Sequence, residues 1–424
     1  MSTQPLLVEL VTEELPPKAL STIGEAFAAK IVDGLRKRGV VAGDAAPSVF
    51  ASPRRLAVRV DAVLARSPDT PRREKVLPVS VAFDAQGQPT QALAKKLAAM
   101  NAAHVDPAAL ERASDGKAEA LYYSFVAPGV PLEQALQQTL DEALGQLPIP
   151  KVMRYQRPDG SDVHFVRPAH RLVALHGSSV VPVSALGLAA GRETFGHRFL
   201  GKPVFTIDTA TAYESQMESE GAVIASFTRR REAIRQALDA AAVRLQAKLA
   251  EHEALLDEVT ALVEFPVVYA GEFDSAFLAV PQACLILSMK QHQKYFPLVD
   301  SAGKLLAKFL IVSNLKTDDP SQIVHGNERV LRARLADAKF FFDQDRKQTL
   351  ASRVEKLGAV VYHNKLGSQL ERVRRVTRVA GEIARWLGAD ADKAERAAHL
   401  AKADLVTDMV GEFPELQGLM GQYY

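Results

Sequence analysis

The sequence predicts an α+β protein in which a mixed α/β region precedes an all-α region. Short strand-like runs and helical repeats alternate up to about residue 313, and helical patterns fill nearly everything from about residue 323 onward. With 424 residues, of which 47% are apolar and 24% charged, the chain is expected to form more than one globular domain. We expect a first domain at residues 1–325, open to division into two lobes near 148–200, and a second at 326–424.

The first elements are a strand and a helix. Residues 6–11 form a short apolar run, and apolar residues then recur at helical spacing from Leu20 to Leu35. Pro16 and Pro17 suit a first helical turn, and Gly39 follows the last basic residues as a helix stop. Residues 49–64 alternate like a strand pair interrupted at Pro53.

The following segments are assigned from their composition and periodicity. Residues 67–78, with three prolines and mixed charge, predict a linker or exposed loop. Helices are expected at 90–101 and 131–146, with a strand at 120–126 between them. The range 148–205 predicts short strands and turns, and a long helix is expected at 228–259. Further strands are expected at 263–270, 284–289 and 305–313.

Composition and charge limit the classes of function. One cysteine excludes an internal disulfide, and no apolar run approaches the ~20 residues that span a bilayer, so a cytoplasmic protein without membrane contact is expected. The net charge is only +2, but basic residues cluster at 229–231, at 329–334 and between 347 and 378. Such clusters neutralise phosphates locally, whereas solvated helix faces are the alternative reading.

No motif for independent catalysis is present. The sequence lacks a Walker or Rossmann phosphate loop, a serine-hydrolase elbow, a His-Glu-x-x-His motif and a Cys-x-x-Cys motif. Glu13 and Glu14 are adjacent on a strand and point to opposite faces, so capping of the next helix is favoured over paired acid/base chemistry. Histidines 164, 170, 176 and 197 have spacings that suit no local metal site.

Three strings of cationic and aromatic residues stand out. They lie at 149–172, 196–199 and 289–296, and each combines phosphate-binding side chains with a ring able to stack on a base. Buried capping networks of arginine and tyrosine are the structural alternative. Together with the helical clusters, the strings give these candidates for RNA contact: Lys151, Arg154, Arg167, Arg171, His197, Arg198, Lys290, His292, Lys294, Arg329, Arg332, Arg334, Arg372, Arg374 and Arg375.

Several longer motifs resemble the β subunit of bacterial heterotetrameric glycyl-tRNA synthetase, and the resemblance runs from end to end of the chain. The motifs are LLVELVTEELPP at 6–17, ASPRRL at 51–56, EVTALVEFPV at 258–267, GNERVLRARL at 326–335 and KADLVTDMVGEFPELQG at 402–418. The resemblance implies an α2β2 glycine–tRNA ligase with a class II active site on the α subunit, where ATP with Mg is used. This chain would bind no cofactor or metal, carry no catalytic residue, and work with the α subunit, a second β subunit and tRNA-Gly.

The resemblance also implies a B3/B4-like mixed region followed by an HD-like helical domain, without the family's C-terminal anticodon-binding region. The aromatic ending of the chain agrees with a fragment of a longer protein. A working HD phosphohydrolase needs metal-binding histidines, but Gln369 and the Ala403-Asp404 pair stand at those positions. Three functions therefore remain open: positioning of tRNA for the α subunit, metal-dependent phosphohydrolysis, and assembly with the α subunit without RNA contact.

Overall fold

The computed structural model describes residues 2–41, 45–84, 86–114, 116 and 118–424. Helices account for 43% and strands for 25% of the structure, which confirms the predicted mixture of α and β. The chain divides into two compact units. Unit 1 comprises the described residues within Met1–Leu15, Ala19–Gly196 and Pro203–Gly221, and unit 2 comprises Pro16–Lys18, His197–Lys202 and Ala222–Tyr424.

Unit 1 contains the elements up to residue 219. Its strands are β1 (Thr3–Thr12), β2 (Ser48–Ser52), β3 (Arg55–Leu64), β4 (Thr70–Pro78), β5 (Glu111–Ser114), β6 (Glu119–Ala127), β7 (Met153–Gln156), β8 (Asp162–Phe165), β9 (Ala169–His176), β10 (Ser179–Val180), β11 (Ser184–Ala185), β12 (Leu188–Gly191), β13 (Glu193–Thr194) and β14 (Phe205–Thr206). Its helices are α1 (Leu20–Lys37), α2 (Val79–Ala82), α3 (Gln91–Ala99), α4 (Leu132–Gly145) and α5 (Tyr213–Ser219).

The main sheet of unit 1 has β1 at its centre. The strand order is β11-β12-β9-β1-β3-β2, and β10 also pairs with β9. Leu10 of β1 lies opposite Leu56 of β3 on one side and Leu172 of β9 on the other, both in antiparallel pairs. Strand β1 is buried from Leu6 to Thr12, and its sequence from Leu6 to Val11 is accordingly an apolar run interrupted only by Glu9.

Helix α1 packs on this sheet against β2 and β3 and also contacts α4. Two glycines permit the close approach of α1 to β2 and to α4. A Cβ at Gly24 would come within 2.7 Å of the Ala51 Cβ, and a Cβ at Gly34 within 2.5 Å of Thr139. The helix ends before Gly39, whose φ of +73° is the left-handed conformation that favours glycine.

A smaller sheet, in the order β4-β6-β5, packs with α2 and α3 around Val76, Leu93, Leu97 and Leu121. The predicted loop at 67–78 is therefore wrong, because residues 70–78 form strand β4. Its prolines are tolerated because β4 lies at an edge of the sheet, where missing amide donors cost little. Its exposed charged residues concealed the strand pattern.

Unit 2 contains the remaining elements. Its helices are α6 (Phe227–Arg244), α7 (Glu253–Thr260), α8 (Gln282–Ser288), α9 (Ser321–Asp345), α10 (Leu350–Arg353), α11 (Gln369–Trp386), α12 (Ala391–Leu400), α13 (Asp408–Glu412) and α14 (Leu419–Tyr423). Its strands are β15 (Lys248–Leu249), β16 (Val267–Glu272), β17 (Phe296–Val299), β18 (Leu305–Ser313), β19 (Val361–His363) and β20 (Gly367–Ser368).

Two predicted elements of unit 2 are wrong. The expected strand at 284–289 is helix α8 followed by a π-helical turn at Met289–Gln293, because periodicity does not separate a short buried helix from a buried strand. The expected helix at 228–259 ends at Arg244. Gln246 adopts a φ of +52°, and Lys248 and Leu249 then pair with β17 before α7 begins.

The core of unit 2 combines strand and helix residues. Phe309 of β18, Leu331 and Leu335 of α9 and Met409 of α13 lie in one buried cluster. This cluster takes side chains from both sides of residue 325. The domain boundary expected at residue 325 and the division expected near 148–200 both stay predictions. None of the helices in the described part of the chain is long and apolar enough to cross a membrane.

Candidate nucleic-acid interface

One group of candidate residues lies in unit 1, where β1 ends and β9 begins. The Arg167 Nε donates to the Glu14 carbonyl at 2.9 Å, and its Nη1 lies 3.3 Å from the Met153 sulfur of β7. His170 Nε2 lies 2.9 Å from the Glu13 carboxylate. The N-cap residue of α1, Ala19, has no side-chain cap bond, and the expected capping role for Glu13 and Glu14 stays a prediction. The contact with His170 joins Glu13 to the start of β9.

Beside this group is a cleft of about 430 Å³ that is lined by residues of β9 and β12 of the main sheet. Arg171 lies over the Phe195 ring, with 4.6 Å between guanidinium carbon and ring centroid, and forms an ion pair with Glu193. The stacking fixes a planar cation beside an aromatic face, an arrangement that binds phosphate and bases. The cleft is lined by His170, Arg171, Leu172, Leu188, Ala189, Gly191, Arg192, Glu193 and Phe195.

The β7–β8 hairpin presents two more candidates. Lys151 precedes the hairpin and is exposed, and the described residues offer it no partner. Arg154 is exposed and pairs with Asp162 across the hairpin at 2.6 Å. The hairpin is anchored because the Tyr155 hydroxyl accepts from the Ala169 amide at 3.1 Å. This hydrogen bond joins β7 to the start of β9.

Two candidates lie in the segment 197–202. The His197 ring is 1% exposed, and its Nδ1 accepts from the amides of Phe199 and Leu200 at 3.2 Å each. This places the ring proton on Nε2 and makes His197 part of the loop framework. Arg198 is exposed beside Phe199, whose side chain is 80% exposed.

In unit 2, the string at 289–296 is held by internal contacts. The Lys290 Nζ lies 2.7 Å from the Glu251 carboxylate, and the Lys294 Nζ lies 2.9 Å from that of Glu258. His292 stacks on buried Phe413, with ring centroids 5.5 Å apart. These contacts stabilise the π-helical turn. They agree with the structural role that is the alternative to RNA contact for these three residues.

Helix α9 carries cations that, unlike those of the string at 289–296, are not held by internal contacts. Arg329 and Arg332 are exposed one helical turn apart and have no partner among the described residues. Arg334 lies on another face of the helix, 4.0 Å from Asp337. Unpaired arginines cost less to bring against phosphate, because no existing ion pair has to be broken. Among the candidates on α9, Arg329 and Arg332 have the geometry that best suits RNA contact.

The candidates on α11 each have an internal contact. The Arg372 guanidinium lies 4.3 Å from the centroid of Tyr362. Arg374 lies 3.3 Å from the Glu355 carboxylate, and Arg375 donates to the Leu366 carbonyl at 3.2 Å. All three contacts are at or near the surface, so phosphate can compete for the cations.

The positions that would hold metal in an HD phosphohydrolase have structural contacts instead. The Asp404 carboxylate is 1% exposed, and one of its oxygens accepts from the amides of Gly418 and Gly421, the latter at 3.2 Å. Ala403 belongs to a buried apolar cluster, and Gln369 is the first residue of α11 after the Ser368 cap. In the described ranges, no group of three or more acidic, histidine or cysteine side chains is arranged for a metal ion. These residues do not fit a metal centre.

Sequence reasoning missed two buried charge networks. In unit 1, Arg55 lies 3.2 Å from the Glu9 carboxylate, which also accepts from the Tyr213 hydroxyl at 2.6 Å. Burial, with Glu9 as the next cause, raises the pKa of Tyr213 well above its ordinary value. The signal was Glu9 itself, a carboxylate inside an apolar strand, which requires a partner.

The second network lies in unit 2 around Asp345. This carboxylate pairs with Arg353 at 3.1 Å and accepts from the amides of Asp408 and Met409 at 2.9 Å each. The Tyr424 hydroxyl donates to it at 2.9 Å. The contacts tie the end of α9 to the start of α13 and to residue 424, so this network stabilises the region that contains Asp404.

Comparison with known proteins places the chain in a family. The family model for the glycyl-tRNA synthetase beta subunit matches residues 6–424. The chain belongs to the glycyl-tRNA synthetase β-subunit family. The resemblance found in its motifs is thereby confirmed.

Relatives in this β-subunit family match over the entire chain. The glycine–tRNA ligase beta subunits of Aromatoleum aromaticum, Ralstonia nicotianae and Thiobacillus denitrificans are 57%, 56% and 59% identical to it. Each match covers 100% of this chain but 60%, 61% and 61% of the respective relative. The chain therefore spans about three fifths of the length of these relatives.

Proposed function

We propose that the chain acts as a β subunit of glycine–tRNA ligase, which supports the ATP-dependent attachment of glycine to tRNA-Gly by binding tRNA and positioning it for the α subunit. The observation that carries the proposal is the 57% identity over 424 residues to a relative named glycine–tRNA ligase beta subunit. A second β subunit in an α2β2 assembly and a cytoplasmic location belong to the same proposal.

In this proposal the chemistry takes place on the α subunit, where ATP with Mg is used, and this chain binds no cofactor. Its own arginines contact tRNA phosphates. Arg329 and Arg332 are exposed and have no described partner, so they supply cations without breaking an ion pair. Arg171 on Phe195 offers a stacked cation for an unpaired nucleotide.

The finer fold assignment is also proposed. Residues 1–325 correspond to a B3/B4-like region and residues 326–424 to an HD-like region that serves as a platform without metal chemistry. The contacts of Asp404 with the amides of Gly418 and Gly421 support the loss of the phosphohydrolase function. Metal-dependent hydrolysis has no supporting observation.

The test is binding of tRNA-Gly at several salt concentrations, with and without purified α subunit. Reversing Arg329 and Arg332 to Glu together is expected to lower affinity and to reduce the log–log salt slope by about 1 for each lost phosphate contact. Reversal of Arg374 and Arg375 is expected to cost less, because both make internal contacts. Reversal of exposed Lys95 and Lys96 on α3 is a matched double control.

An assembly role without RNA contact is the second candidate. It is favoured by the internal pairing of Lys290, Lys294 and Arg154. Under it, tRNA affinity is undetectable for the wild-type chain, and association with the α subunit does not change with salt. A measurable, salt-dependent affinity for tRNA that the Arg329 and Arg332 reversals reduce would exclude it.

A further inference from the structure

The cleft lined by β9 and β12 has a wall whose backbone is held by buried charge. The Phe195 carbonyl accepts from the Arg55 Nη2 at 3.0 Å, and Arg55 is fully buried beside Glu9. The next carbonyl, that of Gly196, accepts from the buried Arg54 at 3.0 Å. A buried ion pair is weak evidence for stabilisation, because the cost of desolvating the charges can exceed their attraction. These contacts instead fix the position of Phe195 beside the cleft.

Two guanidinium groups line the cleft and have donors to spare. Arg171 uses Nη1 for Glu193 and lies over the Phe195 ring. Arg192 uses Nη2 for the Ser178 carbonyl, at 2.6 Å. Each guanidinium carries several N–H donors, and the other nitrogens of both have no partner in the part of the chain that the structure describes. A phosphate can therefore be bound without breaking either contact.

Charge and size limit the ligand to one nucleotide unit. The lining contains the cations Arg171 and Arg192 and the carboxylate of Glu193, so two positive charges and one negative charge give a net charge of +1. Glu13 pairs with His170 and does not line the cleft. This charge suits a single phosphate better than a di- or triphosphate. The volume of about 430 Å³ lies in the range of small-ligand pockets, and a free amino acid would fill only part of it.

The lining favours a nucleotide over a protein segment. A planar cation supported by an aromatic ring binds bases of any sequence by stacking. The core of a protein interface is instead depleted of charge and rich in large apolar side chains. Among the lining residues the large apolar side chains are Leu172, which is 2% exposed, Leu188 and Phe195, and the remainder are charged, polar or small.

We propose that this cleft holds one unpaired nucleotide of the tRNA and contacts its ribose. The base stacks on the Arg171 guanidinium, which Phe195 supports from the other side, and the phosphate lies against Arg192. The ribose 2′-hydroxyl donates to the Glu193 oxygen that Arg171 does not use, just as a carboxylate accepts from this hydroxyl in dinucleotide-binding folds. The inference rests on the proposed function, because the nucleotide is supplied by bound tRNA.

Gly191 allows the cleft to be narrowed without a clash inside the protein. A Cβ at this position would meet no atom within 4 Å, and its φ lies outside the left-handed region. Gly191→Val is expected to weaken tRNA-Gly binding by at least about fivefold, the smallest loss typical of one stacked base. Gly145→Val is the matched control, since Gly145 meets the same two conditions at the end of α4. Its affinity is expected to stay within about twofold of wild type.

Two further measurements separate stacking and ribose contact from a general loss of charge. Arg171→Lys keeps the charge but loses the planar group, so tRNA affinity is expected to fall by at least about fivefold with an unchanged salt slope. Saturation-transfer NMR with the four ribonucleoside 5′-monophosphates is expected to show binding to the wild-type chain that Gly191→Val removes. The 2′-deoxy forms are expected to bind more weakly, because they lack the hydroxyl that Glu193 accepts from.

Circular dichroism must show an unchanged fold for each variant, and Arg171→Lys carries the test if Gly191→Val unfolds. Equal tRNA affinity of wild type and both variants overturns the inference, while the proposed function stands if reversal of Arg329 and Arg332 still weakens binding. Absence of tRNA binding by the wild-type chain overturns both. The inference is also wrong if only free nucleotides respond to Gly191→Val, if no nucleotide binds, or if Gly191→Val weakens binding of the α subunit instead.

Discussion

Replacing Asp404 by alanine tests whether this carboxylate has a structural role. It is 1% exposed and accepts from the backbone amides of Gly418 and Gly421. A hydrogen bond to a charged group contributes about 1.5–3 kcal/mol, so the loss of two is expected to cost about 3–6 kcal/mol. Asp404→Asn keeps an oxygen acceptor and is expected to cost about 1–2 kcal/mol.

The assay is native-state hydrogen exchange of the Gly418 and Gly421 amides, because a two-unit chain need not unfold in one step. Both amides are expected to lose protection in Asp404→Ala and to keep most of it in Asp404→Asn. Metal content, measured by mass spectrometry of the purified protein, is expected to be identical in the three proteins. Unchanged protection in Asp404→Ala, or bound manganese or iron that disappears with the substitution, would refute the structural role.

Three further predictions follow from buried groups. Tyr213→Phe removes the 2.6 Å bond to Glu9 and is expected to lower the free energy of unfolding of unit 1 by about 1.5–3 kcal/mol, measured by urea titration. Burial raises the pKa of the Cys284 thiol to about 12, so iodoacetamide at pH 8 is expected to modify the native chain far more slowly than the urea-unfolded chain. Burial also raises the pKa of Tyr295 from 10.0 to about 12. The unfolded state then releases the proton first, so stability is expected to fall as pH rises from about 10 towards 12, less steeply in Tyr295→Phe.

The parts of the fold that follow from sequence are those where local pattern and burial agree. Strand β1 and helix α1 were predictable because an apolar run and a helical repeat each end at a recognisable signal, Gly39 in the case of α1. The strand β4 was missed because its prolines and charges lie on an exposed edge. The break after Arg244 was missed because residues 248–249 pair with β17, a contact that no local window contains.

The candidate residues for RNA contact were likewise predictable from the sequence only in part. The cationic strings marked positions at the surface such as Arg154 and Arg171, but they did not separate free arginines from paired ones. Lys290 and Lys294 pair with Glu251 and Glu258, which lie more than thirty residues earlier in the chain. Such long-range pairing is a property of the fold, so the distinction between Arg329 and Lys290 required the structure.

The central position of β1 has a consequence for biosynthesis. One neighbour, β3, ends at Leu64, but the other, β9, is complete only at His176. At a translation rate of ~5–20 residues per second, on the order of 10 s passes between the synthesis of β3 and the completion of β9. During that interval the apolar strand has one open edge, which is the feature that promotes misassembly. The nascent chain therefore passes through a stage at which this edge is unpaired, and slower translation before residue 176 is expected to lower the yield of folded protein.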